Sequence, residues 1–192
     1  MSSEDLPEPL ISPFVPEKVR LRRYDDRFAT IYPAISYGLS SYGYDLTLSS
    51  KQFKVFKRIP GKVVDPKRFD LEFLHEATLN NRLGEKWFIL PANSYALGFV
   101  EEKLMMPENV TGICIGKSTY ARAGIIVNMT PVEAGWQGNL TVEISNSSSA
   151  DCKVYANEGI CQILFSQGEP CLSPYGDGKY QGQGAEVVPA RV

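Results

Sequence analysis

The residues best equipped for chemistry lie in one run, GKSTYARAGIIVNMTPVEAGWQGNLTVE, at positions 116–143. Lys117 and Arg122 stand five residues apart with the hydroxyls of Ser118 and Thr119 between them. Cations and hydroxyls so grouped suit an oxyanion-rich ligand such as a phosphate chain, held by charge-assisted hydrogen bonds. The run closes on Glu143, and a carboxylate fixed by a strand suits proton handling. Alternation places Thr141, Glu143 and Ser145 on one strand face and Leu140, Val142 and Ile144 on the other. Taken singly, a Glu on a polar face is an ordinary solvated residue, and a Lys/Arg pair an ordinary surface pair. An anion grip and a proton carrier in one run are the main pointer to function.

Other chemistries lack their residues. The single histidine, His75, sits beside Glu76 in a charged stretch and reads as a surface residue. A zinc deaminase needs a His or Cys followed by a Glu, then a cysteine pair two apart. Neither half is present, and the four cysteines, Cys114, Cys152, Cys161 and Cys171, form no CxxC. Cys114 and Cys161 lie in apolar β-like segments and read as small buried hydrophobes. Ser118 is no triad nucleophile, since nothing connects His75 to it. A net charge of −2 argues against a broad nucleic-acid surface. No apolar run reaches membrane-spanning length. The acidic, proline-bearing start MSSEDLPEPL is neither a secretion signal nor a transit peptide, so the expected location is the cytoplasm.

The elements that must position these residues are read as strands. At 192 residues, 43% hydrophobic and 22% charged, the chain is expected to be one soluble globular domain, 1–192. Prolines 7, 9, 13, 16 and 33 limit regular structure near the start, and an irregular N-terminal arm is expected over 1–25. Its cations Lys18, Arg20, Arg22 and Arg23 read as a solvated segment. Tyr44, Leu46 and Leu48 alternate with Asp45, Thr47 and Ser49, predicting a half-buried strand. Residues 51–59 repeat the pattern with Phe53, Val55 and Phe56 against lysines. Residues 65–82 lose it, leaving room for a short helix over 69–77. Further strands are predicted over 87–90, 95–100, 110–115, 125–129, 140–145, 153–156 and 160–165. Trp136, in a glycine-flanked turn, reads as a packing anchor. Many short strands with turns between them indicate an antiparallel barrel, sandwich or jelly roll. The tail, 173–192, reads on composition as a frayed terminus, with a lid over a bound ligand as the alternative.

Six motifs then carry a resemblance: SSYGYDL (40–46), VDPKRFD (64–70), GKSTYARAGIIVN (116–128), the GW..G…E run (135–143), YANEGICQILF (155–165) and GKYQGQ (178–183). In this order they resemble the dCTP deaminases, within the dUTPase-related β family. The resemblance implies a mainly β, distorted jelly-roll or β-barrel fold with a few short helices, assembled as a homotrimer with active sites between subunits. It implies dCTP as substrate, dTTP as a candidate inhibitor, Mg²⁺ carried by the triphosphate, and deamination at C4 without zinc. It gives Glu143 the general acid/base role and places Ser118 and Arg122 at the reaction centre. Lys117, Ser118, Thr119, Tyr120, Ala121 and Arg122 become a nucleotide-binding run. Thr141, Val142 and Glu143 would read the base, while Gln162, Tyr175, Lys179 and Gln183 would contact the triphosphate, with the flexible lid at 173–192.

Two departures stand out. Lys117 replaces an Arg of some relatives, trading a bidentate fork for a point charge. Glu133 occupies the place of an Asp that helps activate water for diphosphate hydrolysis in dUTPases and bifunctional relatives. The extra methylene displaces that carboxylate and weakens a hydrolase reading. GKYQGQGA also offers Lys, Tyr and Gln where dUTPases use an Arg- and Gly-rich phosphate loop. Deamination to dUTP is therefore the expected reaction, feeding thymidylate synthesis. The alternatives are a bifunctional enzyme releasing dUMP and diphosphate, and a non-catalytic nucleotide-binding trimer.

Overall fold

The computed structural model describes residues 9–23 and 31–192. In chain order the strands are β1 (Ile11–Ser12), β2 (Lys18–Arg22), β3 (Tyr32–Ser40), β4 (Gly43–Thr47), β5 (Lys54–Phe56), β6 (Leu74–Glu76) and β7 (Asn80–Arg82). They continue with β8 (Glu85–Leu90), β9 (Tyr95–Met105), β10 (Val110–Gly116), the short helix α1 (Ser118–Ala121), β11 (Ile125–Asn128), β12 (Gln137–Asn146), β13 (Cys152–Tyr155) and β14 (Gly159–Gln167).

Among the described residues three antiparallel sheets result. One runs β11-β12-β9-β5-β6, with β1 added to the far end of β9; the second runs β10-β14-β4-β3-β2; the third, smaller, runs β13-β8-β7. The arrangement is mainly β and of jelly-roll type, and among the described residues it does not close into a barrel. Inward side chains of β4 (Tyr44, Leu46), β9 (Ala96, Val100, Leu104), β12 (Val142, Ile144) and β14 (Cys161, Ile163) form one core. Cys114 joins them, so both cysteines of the apolar strands are buried, and all four cysteines are free thiols. Among the described residues no helix is long and apolar enough to cross a membrane.

Four local expectations change. The N-terminal arm is not irregular throughout: β1 pairs with β9 and β2 with β3, because those edges offer unpaired backbone. Residues 1–8 and 24–30 lie outside the described residues. The stretch at 44–49 is buried on both faces, Asp45, Thr47 and Ser49 included, so it is not half-buried. In the next strand Phe53 and Val55 are buried in the core. Phe56 joins a separate apolar cluster with Leu74 and Tyr95. The possible helix over 69–77 is a single 3-10 turn, Leu71–Phe73, capped by Asp70, whose carboxylate accepts from the Glu72 N–H at 2.9 Å. Only Phe73 of that turn is buried, so no apolar stripe sustains a longer helix, and Leu74–Glu76 pairs with β5 instead.

The centre of the largest sheet contains a defect that matters. Along β12 and β9, Asn139 faces Lys103 but Thr141 faces Phe99, so β9 carries extra residues there. The Asn139 side-chain amide donates to the carbonyls of Val100 (3.2 Å) and Glu101 (3.1 Å), satisfying the bulged backbone. Glu102, in the same bulge, is 2% exposed. Its carboxylate accepts from the Thr47 N–H at 2.9 Å and the Thr47 hydroxyl at 2.7 Å. Burial nevertheless dominates and pushes the Glu102 carboxyl up to about 7, with the Thr47 bonds pulling against it.

A carboxyl that holds its proton more tightly when folded stabilises the protein at low pH and loses that contribution as pH rises from about 4.5 to about 7. At ~1.4 kcal/mol per unit, the displacement is of order 3 kcal/mol. Glu102→Gln should therefore be more stable than the parent at pH 8 and nearly equal to it at pH 4.5. Urea midpoints across that range check the prediction; parallel curves for the two proteins refute it.

Candidate functional site

β12 presents Thr141, Glu143 and Ser145 to the outer face of its sheet, opposite Phe99, Leu97 and Tyr95 of β9. That face is not bare. Residues 175–190 fold back over it, which overturns the reading of the tail as a frayed terminus. The Tyr175 N–H donates to the Ala134 carbonyl, Gly182 N–H to Gln137, and Asn139 N–H to Gln183. Trp136 is buried and donates its indole N–H to the Tyr180 carbonyl at 2.9 Å, the packing role expected of it. The Gln181 side chain bridges the Gln137 N–H (2.8 Å) and the Gly135 carbonyl (2.9 Å). Gly138 permits this approach: its φ is +142°, and a Cβ there would stand 2.7 Å from the Gln183 carbonyl oxygen.

Beneath the tail lies a cavity of about 520 Å³. Glu143, Thr141 and Glu133 line it from the body, and Tyr175, Lys179 and Gln183 from the tail. Phe56, Phe69, Tyr95, Leu97 and Trp136 supply apolar wall. The Thr141 hydroxyl donates to Gln183 Oε1 at 3.2 Å and accepts from the Val188 N–H at 3.1 Å, tying strand to tail. Burial raises the Glu143 carboxyl to about 7, its own backbone pulling slightly the other way. At neutral pH such a group is populated in both protonation states, as a general acid/base needs.

The remaining predicted residues lie elsewhere. Ser118, Thr119, Ala121 and Arg122 are exposed on or beside α1 and do not line the Glu143 cavity. Thr119 borders a separate hollow of about 410 Å³ with Arg20, Tyr155 and Glu158. Tyr120 and Val142 are core residues: Val142 is fully buried, and the buried Tyr120 hydroxyl accepts from the Tyr155 N–H at 2.8 Å. Both side chains are thus packed in the core of this chain.

Lys117 is not a surface cation. Its ammonium lies 2.7 Å from Asp45 Oδ2 and 3.1 Å from Ser36 Oγ, with the side chains 10% and 1% exposed for Lys117 and Asp45. Gln162 joins this cluster, donating to Asp45 Oδ1 at 3.1 Å and Ser40 Oγ at 2.8 Å. Gln162 thus also sits apart from the Glu143 cavity. Asp45, Phe56, Phe69 and Tyr95 were not identified from sequence as part of either cluster. The one available signal was an acidic residue inside SSYGYDL, between Tyr44 and Leu46. Among the described residues no three His, Cys, Asp or Glu side chains group to hold a metal ion.

Removing one member of a buried ion pair leaves the other uncompensated, at about 3–5 kcal/mol. Asp45→Ala should lose stability of that order, and Lys117→Met should lose clearly less when made in the Asp45→Ala background than alone. A double-mutant cycle in urea checks this; additive losses would show the pair to be uncoupled.

Comparison with known proteins identifies the family of the chain. The dCTP deaminase-like family model matches residues 15–168. A dCTP deaminase of Protochlamydia amoebophila is 44% identical over 187 residues, 96% of this chain and 92% of its own. One from Campylobacter fetus subsp. fetus is 51% identical over 158 residues, 81% of each chain. Among solved structures, a 2′-deoxycytidine 5′-triphosphate deaminase from Agrobacterium tumefaciens aligns over 78% of this chain and 44% of its own, at 22% identity and a TM-score of 0.48. The chain belongs to the dCTP deaminase-like family.

Proposed function

We propose that this protein hydrolyses dCTP to dUTP and ammonia, with Glu143 carrying the proton. The observation that carries the reading is Glu143 itself: a carboxyl raised to about 7, in a cavity of about 520 Å³ that also holds Thr141, Lys179 and Gln183. In this reading the Glu143 carboxylate takes a proton from water as the water oxygen bonds to C4 of the cytosine ring. The carboxyl returns that proton to the departing amine and C4–N4 breaks to release ammonia, while the second water proton passes from the C4 hydroxyl to N3, giving the carbonyl at C4. One group serves as base and then acid, an effect worth about 10²–10⁴-fold. In this reading Thr141 reads the pyrimidine beside Glu143, and Gln183, Lys179 and Tyr175 contact the triphosphate; the Thr141–Gln183 hydrogen bond and the shared cavity support that grouping. The route runs without zinc, in line with the missing His/Cys-Glu and paired-cysteine signature. Mg²⁺ enters as part of the substrate, on the phosphate oxygens. The product would supply dUMP and dTTP synthesis, and dTTP would be a competing ligand of the same cavity.

Ser118 and Arg122 act, in this reading, on the site of an adjoining protomer in a homotrimer. Their exposure on α1, outside the cavity of their own chain, supports that arrangement. So does the apolar surface beside them, where Ile113, Ile115 and Ile126 are 51%, 44% and 48% exposed. Glu133 lines the cavity rim but is exposed. A longer, solvated side chain there favours dUTP over dUMP as the product.

Purified protein given dCTP and Mg²⁺ should release ammonia and accumulate dUTP; dUMP and diphosphate instead would establish the bifunctional reading. Glu143→Gln should still bind dCTP but lose at least about 10²-fold in turnover. Glu143→Gln and Arg122→Ala, each inactive alone, should regain part of the activity when their subunits are mixed and re-associated. Mixtures that stay inactive would place both residues in one chain's site.

A further inference from the structure

The outer face of the large sheet carries a second apolar cluster, distinct from the main core. Leu97, Phe99 and Val187 are buried in it, with Phe56, Leu74 and Tyr95 packed around them. Phe56 meets Tyr95 edge to face at 5.1 Å between ring centroids and Phe69 at 5.7 Å, fixing an aromatic wall. Glu143 faces Leu97 directly across the β9–β12 ladder and shares its strand face with Ser145, the partner of Tyr95. Cross-strand neighbours of this kind are in side-chain contact range. Tyr95 registers the carboxyl: its hydroxyl is raised to about 12, chiefly by burial and then by the charge of Glu143.

The opposite wall is the returning tail, beyond Tyr175, Lys179 and Gln183. Val187 and Val188 are buried, their N–H groups bonded to Gln52 Oε1 (2.9 Å) and Thr141 Oγ1 (3.1 Å), and Val188 to Ala190 line the Glu143 cavity. The Arg191 N–H then donates to the Tyr180 hydroxyl at 3.1 Å, closing a loop from 180 to 191.

We propose that Tyr95 and Val188 are positioning residues for Glu143, clamping its carboxyl between an aromatic wall and the tail and shutting bulk water out of that side of the cavity. The inference rests on the reading of Glu143 as the proton carrier and names what prepares it for that task. The charged and titratable groups facing the carboxyl leave desolvation in control. Tyr95 comes from β9, Glu133 from the 130–136 segment, and Tyr175, Lys179 and Tyr180 from the tail. β11 offers only Asn128 opposite Glu143. Lys54 of β5 lies in the same row but beyond Leu97. Glu133 and Lys179 are exposed, so solvent screens them. Burial, not a charged neighbour, accounts for the raised carboxyl.

The test is carboxyl NMR titration of the ligand-free full-length protein labelled with ¹³C at glutamate Cδ, Glu143 being assigned by the signal lost in Glu143→Gln. The parent should titrate near 7. Val188→Ser and Tyr95→Ser should each weaken proton binding by about tenfold or more, one pH unit downward. Val188→Ile and Tyr95→Phe, which keep the apolar bulk, should titrate with the parent. The acidic limb of the kcat profile for dCTP should move with the NMR midpoint. A Val188→Ser tail that detaches altogether should give the same downward shift, so loss of tail order does not obscure the result. A parent midpoint near the ordinary glutamate value, or serine variants that leave it in place, overturns the proposal. The titration needs no substrate, so it separates the two readings. A shifted midpoint without ammonia release would keep the seclusion and refute the deaminase; ammonia release with an immobile midpoint would do the reverse.

Discussion

The contact between the tail and β12 is the constraint on which the candidate site depends. Without it, Thr141 and Glu143 would stand on an open sheet face, in water, where a carboxylate keeps its ordinary acidity. Two features make the contact possible. Gly138, in a backbone conformation closed to most side chains, lets the chain at Gln183 lie against the strand. Val187 and Val188 then bury apolar surface that the outer face of β9 would otherwise expose. Two buried valines contribute a few kcal/mol, while each ordered backbone residue costs about 1–2 kcal/mol of entropy. The valines cannot hold the tail alone. The hydrogen bonds of Gly182, Gln183, Gln181 and Val188 to the 135–141 stretch must share the load. A closure balanced in this way is suited to a segment that must also admit a ligand.

The chain separates the Lys117–Arg122 run from Glu143, although the two are near in sequence. Lys117 turns inward to Asp45 and Ser36, and the turn of α1 that follows leaves Ser118 and Arg122 facing outward. β11 and β12 then carry the chain away, so that Glu143 emerges on the far sheet beneath the tail. Within one chain the two sets of groups therefore stay apart. Lys117 also shows why a cation set among hydroxyls and a second cation is not automatically free for an anionic ligand. An ammonium already 2.7 Å from a buried carboxylate must give up that partner, or share it, before it serves another.

The strand framework was legible in the sequence because local alternation is what a sheet with one buried face requires. β8 to β14 fall where the apolar periodicity puts them, with ends shifted by a few residues. What the sequence concealed was set by distant partners. Asp45 reads as an outward residue of a half-buried strand, yet it is buried against two distant cations, Lys117, 72 positions on, at 2.7 Å and Lys18 at 3.6 Å. β6 exists because the edge of β5 accepts it, not because residues 74–76 form a strong strand. The hairpin from β7 to β8 turns on Leu83 and Gly84, both with positive φ, and Leu83 is not a residue that announces such a turn. The tail was the hardest case. Its glycine-rich, polar composition describes a free terminus well, and only the three-dimensional face of β9 and β12 supplies the surface on which it orders.

Glu102 and Glu143 show that proton affinity alone does not mark an active site. Burial raises both carboxyls to about 7. Glu102 is enclosed, its oxygens taken up by the backbone and hydroxyl of Thr47, and it lines neither the Glu143 cavity nor the hollow beside Thr119. A proton on it has nowhere useful to go, and its work is to hold β4 against the bulge of β9. Glu143 has the same affinity with one side open to a cavity, beside Thr141 and Gln183, whose hydrogen bonds can be exchanged for those of a ligand. The distinction is access, and access is created by the tail. A perturbed carboxyl becomes a candidate for chemistry when the element that desolvates it is also the one that admits the substrate.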